Sequence, residues 1–298
     1  MEYNCHIAQI PLVNETTVEF GGRELTPGGK ALGTARALAA LGAPHKLCSC
    51  IGNDRYGELI LKYCKENGIS TSYLYTDPKE PTAFRMHLIE QNGAVRSAFY
   101  PGAFNAIRHS FIEDAFACRP DAVCATLDMP PERLEYIADT ADEQDACLFI
   151  DAGKAAGSYP ISRISKCEAF IVDATEAYRF SKIIPDSMDS CLRAAVRLAG
   201  IINAKYIIIK LKDRGVFIYD GKYCGMASQY GKDPFAAKCS EEAFIASLAY
   251  TYMFTKNMEA ACKYASVSAA ICAENGGGLE ALPTADGIAD FCKDNNID

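Results

Sequence analysis

Ala122-Val-Cys-Ala-Thr-Leu-Asp128 (AVCATLD) is the first of four short apolar stretches that decide the fold of this chain. The other three are ACLFID at 146–151, EAFIVD at 168–173 and YIIIKL at 206–211, and segments with helical patterns separate them. Short continuous apolar runs are typical of strands that are buried on both faces of a parallel sheet. Their alternation with helices predicts an α/β fold with a doubly wound, mostly parallel sheet.

Alternating patterns elsewhere predict β-hairpins beside this core. Residues 5–26 and 82–100 alternate apolar and polar side chains and contain many β-branched and aromatic residues. Between them, TARALAAL at 34–41 and YGELILKYCKEN at 56–67 have helical patterns that end at Gly42 and Gly68. The chain therefore combines a large α/β region with a smaller β region.

Composition excludes several classes of function. The net charge of −8 over 298 residues argues against nucleic acid or an anionic membrane as the main partner. The start, MEYNCHIAQI, lacks the pattern of a secretory signal, and no apolar run approaches the ~18 residues of a membrane span. The 14 cysteines contain no CxxC pair, which indicates reduced thiols and a cytoplasmic protein without a zinc site.

Carboxylates follow three of the predicted strands. Asp128, Asp151 and Asp173 each end an apolar run, and ligands of doubly wound sheets bind beyond the carboxyl ends of the strands. Asp173 and Glu176 would lie on the first turn of one helix, where two acids can hold a magnesium–phosphate complex. Complementarity with the helix dipole is the alternative explanation of this pair.

Two loops combine glycine with lysine. The loop 26–33 (TPGGKALG) precedes a helix, and its adjacent glycines allow a backbone to approach a ligand closely, although a tight turn is the alternative. The loop 210–215 (KLKDRG) follows a strand and suits a nucleotide phosphate, with solvated surface charge as the alternative. Neither loop matches GxxxxGK[ST] or GxGxxG, which argues against a Walker loop and a Rossmann dehydrogenase.

The stretch AKCSEEAFIASLAY at 237–250 predicts the start of a helix. Ser240 has the side chain of an N-cap, and Glu241 and Glu242 would lie at the positive end of the helix dipole. The pattern leaves open whether one of these carboxylates also does chemistry.

In order along the chain, these segments resemble the ribokinase-like (PfkB-type) carbohydrate kinases. The longest match is PGGKALGTARALAALGAPHKLCSCIGNDRYGELILKYCKENGI at 27–69. Further matches are PTAFR at 81–85, FYPGA at 99–103, LDMP at 127–130, VDATEA at 172–177, IIIKLKDRG at 207–215 and EEAFIASL at 241–248. The resemblance implies a core of residues 31–81 and 103–298, with a discontinuous β lid of residues 1–30 and 82–102 that closes over a sugar or sugar-like alcohol.

The resemblance also implies ATP, Mg²⁺ and roles for individual residues. Glu242 stands at the aspartate of the family's GAGD motif and is the expected catalytic base. Expected substrate contacts are Glu2, Gly28, Gly29, Lys30, Gly33 and Asp128. Expected nucleotide and phosphate contacts are Asp173, Glu176, Lys210, Lys212, Gly215, Ser240, Ser266 and Gly277, and Glu176 is also expected to hold the metal.

The GAGD motif is degenerate, since its four positions read Cys239-Ser-Glu-Glu242. Cys239 and Glu241 replace glycines and would crowd the anion hole, and Glu241 adds negative charge there. Two functions therefore remain: an ATP-dependent kinase of a sugar or related alcohol with Glu242 as its base, or a pseudokinase that acts as a ligand-binding or regulatory module.

Other departures from the family lie outside this motif. The family's asparagine after the substrate loop is Gly33, the asparagine of its NxxE motif is Asp173, and a glycine of its KLGxxG loop is Lys212. The family's first strand, with its GxxNxD motif, has no counterpart, and Glu2 lies nearest its aspartate. Ala236 replaces an aspartate of the family's monovalent-cation site, so such a cation is not expected. Substrate specificity would lie in lid side chains such as those of Arg85, His87 and Phe99. Lid strands of this family often pair into dimers, and the edge strands of this chain would allow a homodimer through the lid.

Overall fold

The computed structural model describes residues 1–9, 19–92, 95–153, 157–228, 230–231 and 233–297. Its strands are β1 (Glu2–Ile7), β2 (Gly22–Thr26), β3 (Cys48–Gly52), β4 (Tyr73–Asp77), β5 (Phe84–Glu90), β6 (Val95–Tyr100), β7 (Ala122–Thr126), β8 (Cys147–Asp151), β9 (Cys167–Asp173), β10 (Ala204–Lys210), β11 (Val216–Tyr219) and β12 (Cys224–Ala227). Its α-helices are α1 (Lys30–Ala40), α2 (Arg55–Glu66), α3 (His109–Phe116), α4 (Pro131–Glu143), α5 (Ala174–Ser181), α6 (Met188–Ala199), α7 (Ser240–Thr255), α8 (Met258–Glu274) and α9 (Ala285–Asp294). None of the helices in these ranges has the length and apolar character that crossing a bilayer requires.

The predicted doubly wound sheet is confirmed. Six strands pair in the order β12-β11-β10-β9-β8-β7, and β7 to β10, which contain the four apolar stretches, run parallel. Helices α4, α5 and α6 pack against one face and helices α7 and α8 against the other, so side chains from both faces of these strands are buried. This double burial explains why the strands are apolar at successive positions.

A separate sheet has the order β2-β1-β5-β6. Strand β1 pairs antiparallel with β2 and parallel with β5, which joins the two predicted hairpins into one sheet. Residues 10–18 of the first predicted hairpin and Gly93 of the predicted turn in the second lie outside the described residues. The boundaries proposed for the core and the lid remain a prediction.

Strands β3 and β4 form a third, two-stranded parallel sheet. Among the described residues β3 pairs only with β4, and the edge strand β7 pairs only with β8. Residues of both β3 and β7 line one cavity of about 1130 Å³, which extends from the region between these strands to the four-stranded sheet. The cavity therefore passes the carboxyl end of β7, where ligands of such sheets bind.

Candidate active site

Residues from several elements converge on this cavity. The predicted site residues that line it are Glu2, Gly28, Gly29, Lys30, Asp128, Asp173 and Glu242. The predicted residues that do not line it are Gly33, Glu176, Lys210, Lys212, Gly215, Ser240, Ser266 and Gly277. The structure thus brings the expected base together with all the expected substrate contacts except Gly33, whereas most of the expected nucleotide contacts lie outside the cavity wall.

A cluster of two lysines and two acids lies beside the expected base. The Lys30 ammonium is 2.7 Å from Oδ2 of Asp151 and also contacts Oε2 of Glu241. The Lys210 ammonium is 3.6 Å from Oδ1 of Asp151 and 3.4 Å from Oε1 of Glu241. Each lysine therefore faces both carboxylates. The side chains of Lys210 and Asp151 are only 2% and 3% exposed, whereas that of Glu241 is 18% exposed.

Both lysines of this cluster are held in their charged form. Burial disfavours the ammonium of Lys30, but Asp151, Glu242 and Glu241 outweigh it and raise its pKa well above the ordinary value. Burial likewise opposes the charge of Lys210, and Asp151 and Glu241 outweigh it, so the pKa of Lys210 is also raised. Two ammonium groups are thus balanced by two acidic side chains in a region with little solvent.

Glu242 lies on the first turn of α7 and faces the cavity. Burial raises the pKa of its carboxyl group and Glu241 raises it further, while Lys30 opposes the shift. A carboxylate with a raised pKa is a stronger base, which is the property that proton abstraction requires. Gly33, in α1, packs directly against this side chain, since a Cβ atom added to it would lie 2.7 Å from Cγ of Glu242.

The turn before α7 differs from the expected cap. The helix begins at Ser240, whose hydroxyl donates to the carbonyl of Ala237 at 2.6 Å instead of accepting from a first-turn amide. The predicted N-cap role of Ser240 is therefore wrong. Cys239 is the N-cap and has a left-handed backbone with φ 66°, and Lys212 in the loop after β10 has φ 53°. Both positions hold the backbone conformation that glycine favours, although neither is a glycine.

Asp173 and Glu176 cap helix α5 reciprocally. The amide of Glu176 donates to Oδ1 of Asp173 at 2.6 Å, and the amide of Asp173 donates to Oε2 of Glu176 at 2.7 Å. Burial, followed by the neighbouring Asp151 and Asp173, raises the pKa of Glu176 to about 7, against the opposing effect of Lys210. These bonds use one oxygen of each carboxylate, and the predicted role of the pair in holding magnesium remains a prediction.

The described residues contain no group of three His, Cys, Asp or Glu side chains that could hold a metal ion. Magnesium needs only one or two carboxylates when waters and phosphates supply its other ligands. Asp173, which lines the cavity, with the buried Glu176 one turn later fits that requirement.

Glu2, which also lines the cavity, is fixed by Gly29 and Lys238. Its carboxylate accepts from the amide of Gly29 at 3.1 Å and lies 3.0 Å from the ammonium of Lys238. Burial opposes the ionised form, but Lys238 outweighs it and lowers the pKa of Glu2. Lys238 also donates to the hydroxyl of Thr26. Glu2 is therefore an ionised acceptor on the cavity wall, and Lys238 is a site residue that the sequence analysis did not identify.

Two of the expected nucleotide contacts, Ser266 and Gly277, lie outside the cavity wall. Ser266 is buried in α8, and its hydroxyl has no hydrogen-bond partner among the described residues. Gly277 has φ 74°, and a Cβ atom added to it would lie 2.9 Å from the backbone of Lys238, while the next amide donates to the Lys238 carbonyl. The glycines at 277–278 therefore support the turn that precedes α7.

Comparisons with known proteins show which family the chain matches. Residues 4–285 match the model of the family described as pfkB family carbohydrate kinase. The ribokinase of Haemophilus influenzae is 20% identical over 293 residues, which are 96% of this chain and 94% of that protein. The bifunctional protein HldE of Helicobacter hepaticus is 22% identical over 254 residues, which are 82% of this chain and 52% of that protein, so this chain spans about half its length.

A solved structure shows the same fold. The ribokinase of Arabidopsis thaliana, in complex with ribose and ATP, superposes with a TM-score of 0.82 at 17% identity and covers 98% of this chain and 95% of that chain. The order of the motifs, the geometry of the site and the match over residues 4–285 lead to one conclusion. The chain belongs to the pfkB family of carbohydrate kinases.

Proposed function

We propose that this chain transfers the γ-phosphoryl group of ATP to a hydroxyl of a sugar or sugar-like alcohol. The observation that carries the proposal is the position of Glu242, which lies at the N-terminus of α7 and faces a cavity that Glu2 and Asp128 also line. The volume of about 1130 Å³ has room for a sugar and for part of a nucleotide.

In the proposed mechanism Glu242 accepts the proton of the substrate hydroxyl. The oxygen then forms a bond to the γ-phosphorus while the bond to the bridging oxygen breaks, and ADP leaves. Glu2 and Asp128 accept hydrogen bonds from other hydroxyls of the substrate and hold it in line. The amides of the first turn of α7, with Lys30 beside them, face the charge that develops on the phosphoryl group.

Asp173 and Glu176 would hold magnesium next to the phosphates. When bound, the ion neutralises part of the phosphate charge and orients the nucleotide. Burial and neighbouring carboxylates raise the pKa of Glu176, and a cation bound beside it would oppose that rise and favour its ionised form. Gly215, Lys212, Ser266 and Gly277 remain predicted nucleotide contacts.

Glu241 is the main obstacle to this mechanism. Its carboxylate contacts the ammonium groups of both Lys30 and Lys210. Phosphoryl transfer requires this side chain to release at least one lysine when a phosphate arrives. If it does not, the chain would serve as a ligand-binding module with little turnover, which is the second candidate function.

A substrate screen tests the proposal. The protein is incubated with MgATP and single sugars, nucleosides or polyols, starting with ribose because the Arabidopsis ribokinase binds it. Phosphorus NMR detects both ADP and any new phosphomonoester, and a reaction without acceptor measures background hydrolysis. A new phosphomonoester with an equal amount of ADP is the expected result. No product with any acceptor, at protein concentrations that bind ATP, would contradict the kinase and favour the binding module.

A further inference from the structure

Gly33 occupies a position where the backbone does not require glycine. It lies inside α1, its amide donates to the carbonyl of Gly29 at 2.9 Å, and it is absent from the glycines with positive φ. Glycine in a helix interior is destabilising relative to alanine, because the unfolded chain has more freedom to lose. A buried helical glycine therefore indicates a steric requirement of its surroundings.

The requirement comes from Glu242. A Cβ atom added to Gly33 would lie 2.7 Å from Cγ, 3.2 Å from Cβ and 3.5 Å from Cδ of Glu242. Carbon atoms normally approach no closer than about 3.5 Å, so the first contact is a clash and the second is tighter than an ordinary contact. All three of the nearest atoms belong to this one side chain. The space that a side chain at position 33 would need is thus filled by the stem of the proposed base.

Helix α1 also supplies the cation that acts on Glu242. Lys30 lies one turn before Gly33, and its charge counteracts the pKa rise that burial imposes on Glu242. A shift of Glu242 away from α1 would change both its distance from the substrate and its distance from Lys30.

We propose that Gly33 is a positioning residue for Glu242. Its missing side chain lets a carboxylate of glutamate length pack against α1 and reach the cavity, so a larger residue at position 33 would displace the side chain of Glu242. The steric part of this inference stands by itself, and its catalytic consequence rests on the proposed function.

Thermal unfolding of four proteins tests the steric part without any activity: wild type, Gly33→Ala, Glu242→Ala and the double variant. We expect Gly33→Ala to lower the melting temperature of the wild type by about 2–4 °C. In the Glu242→Ala background the same change should raise the melting temperature. The contact with the Glu242 side chain is then gone, and alanine has a higher helix propensity than glycine. Gly287→Ala, at an exposed glycine in α9, is the control and should have the same effect in both backgrounds. A Gly33→Ala effect that is equal in both backgrounds would overturn the proposal.

Kinetics test the catalytic part once a substrate is known. We expect Gly33→Ala to lower kcat by about 100-fold with a small change in KM, because a displacement of about 1 Å costs that much. Shortening the base in the same protein, with Glu242→Asp, should restore part of the lost rate. The four melting temperatures could show that positions 33 and 242 interact while kcat of Gly33→Ala stays unchanged. In that case Gly33 positions a carboxylate that is not the base, and the proposed function is wrong.

Discussion

Removing the negative charge of Glu241 should convert the start of α7 into a better phosphate site. The change Glu241→Gln keeps the size of the side chain but leaves Lys30 and Lys210 with Asp151 as their only close carboxylate in the cluster. The charge of the cluster then rises by one unit, because the two ammonium groups lose one of the carboxylates that face them. An incoming phosphate would meet two cations that share one resident carboxylate, Asp151, instead of two.

The expected size follows from the distances. Two unit charges about 4 Å apart interact by about 4 kcal/mol at an effective dielectric constant of about 20. Solvent at the 18% exposed Glu241 and the flexibility of its side chain offset much of this energy. We expect a net gain of about 1.4–2.8 kcal/mol in the binding free energy of ATP, which is a 10- to 100-fold lower Kd. The free energy of unfolding should fall by about 1–3 kcal/mol, because buried Lys210 loses a partner.

Calorimetry with MgATP and with inorganic phosphate measures the change. Glu259→Gln, an exposed acid on α8, is the matched control and should leave both affinities unchanged. Unchanged or weaker nucleotide binding by Glu241→Gln, in a protein that remains folded, would refute the view that Glu241 occupies a phosphate site.

Two further predictions concern stability. Cys239→Gly and Lys212→Gly should each raise the free energy of unfolding by about 1 kcal/mol, because each residue has a left-handed backbone; a lower melting temperature for both would show that their side chains contribute more than the backbone costs. The pKa of Glu176 is raised to about 7, so the folded state binds this proton more tightly than the unfolded chain, and the associated stability is lost as the pH rises from about 4.5 to about 7. Urea unfolding at pH 5 and pH 8 measures this loss in the free energy of unfolding, which is at most about 3 kcal/mol in the wild type and should be absent in Glu176→Gln. A variant with the same pH dependence as the wild type would contradict the raised pKa.

The sequence predicted the sheet well because its central strands are buried on both faces. A short continuous apolar run such as 206–211, with helical segments before and after it, fits few structures other than a strand buried on both faces. The parallel pairing of β1 with β5 was not predicted, since it joins segments about 80 residues apart and leaves no local pattern. That β3 and β7 belong to different sheets was likewise not predicted, because the composition of a strand does not show which strand it pairs with.

The site was predicted in part. The resemblance predicted that Glu2, Lys30 and Glu242 belong to one site, and all three residues line the cavity. The ion pairs of Glu241 with both lysines were not predicted, because a helical pattern does not say where a first-turn side chain points. The cap at Ser240 was predicted wrongly, since its hydroxyl turns back to the carbonyl of Ala237 once the helix begins at this residue. Gly33 and Glu242 were taken as separate departures from the family, although the structure packs one against the other.

The most direct test of the central claim is the rate of phosphoryl transfer by Glu242→Gln, measured beside the binding of ATP. The change keeps the shape of the side chain and removes its ability to accept a proton, a contribution of about 100- to 10,000-fold in general base catalysis. The account predicts a kcat lower by at least 100-fold with a Kd for ATP within a few-fold of the wild type. A variant that transfers phosphate at the wild-type rate would show that Glu242 is not the base.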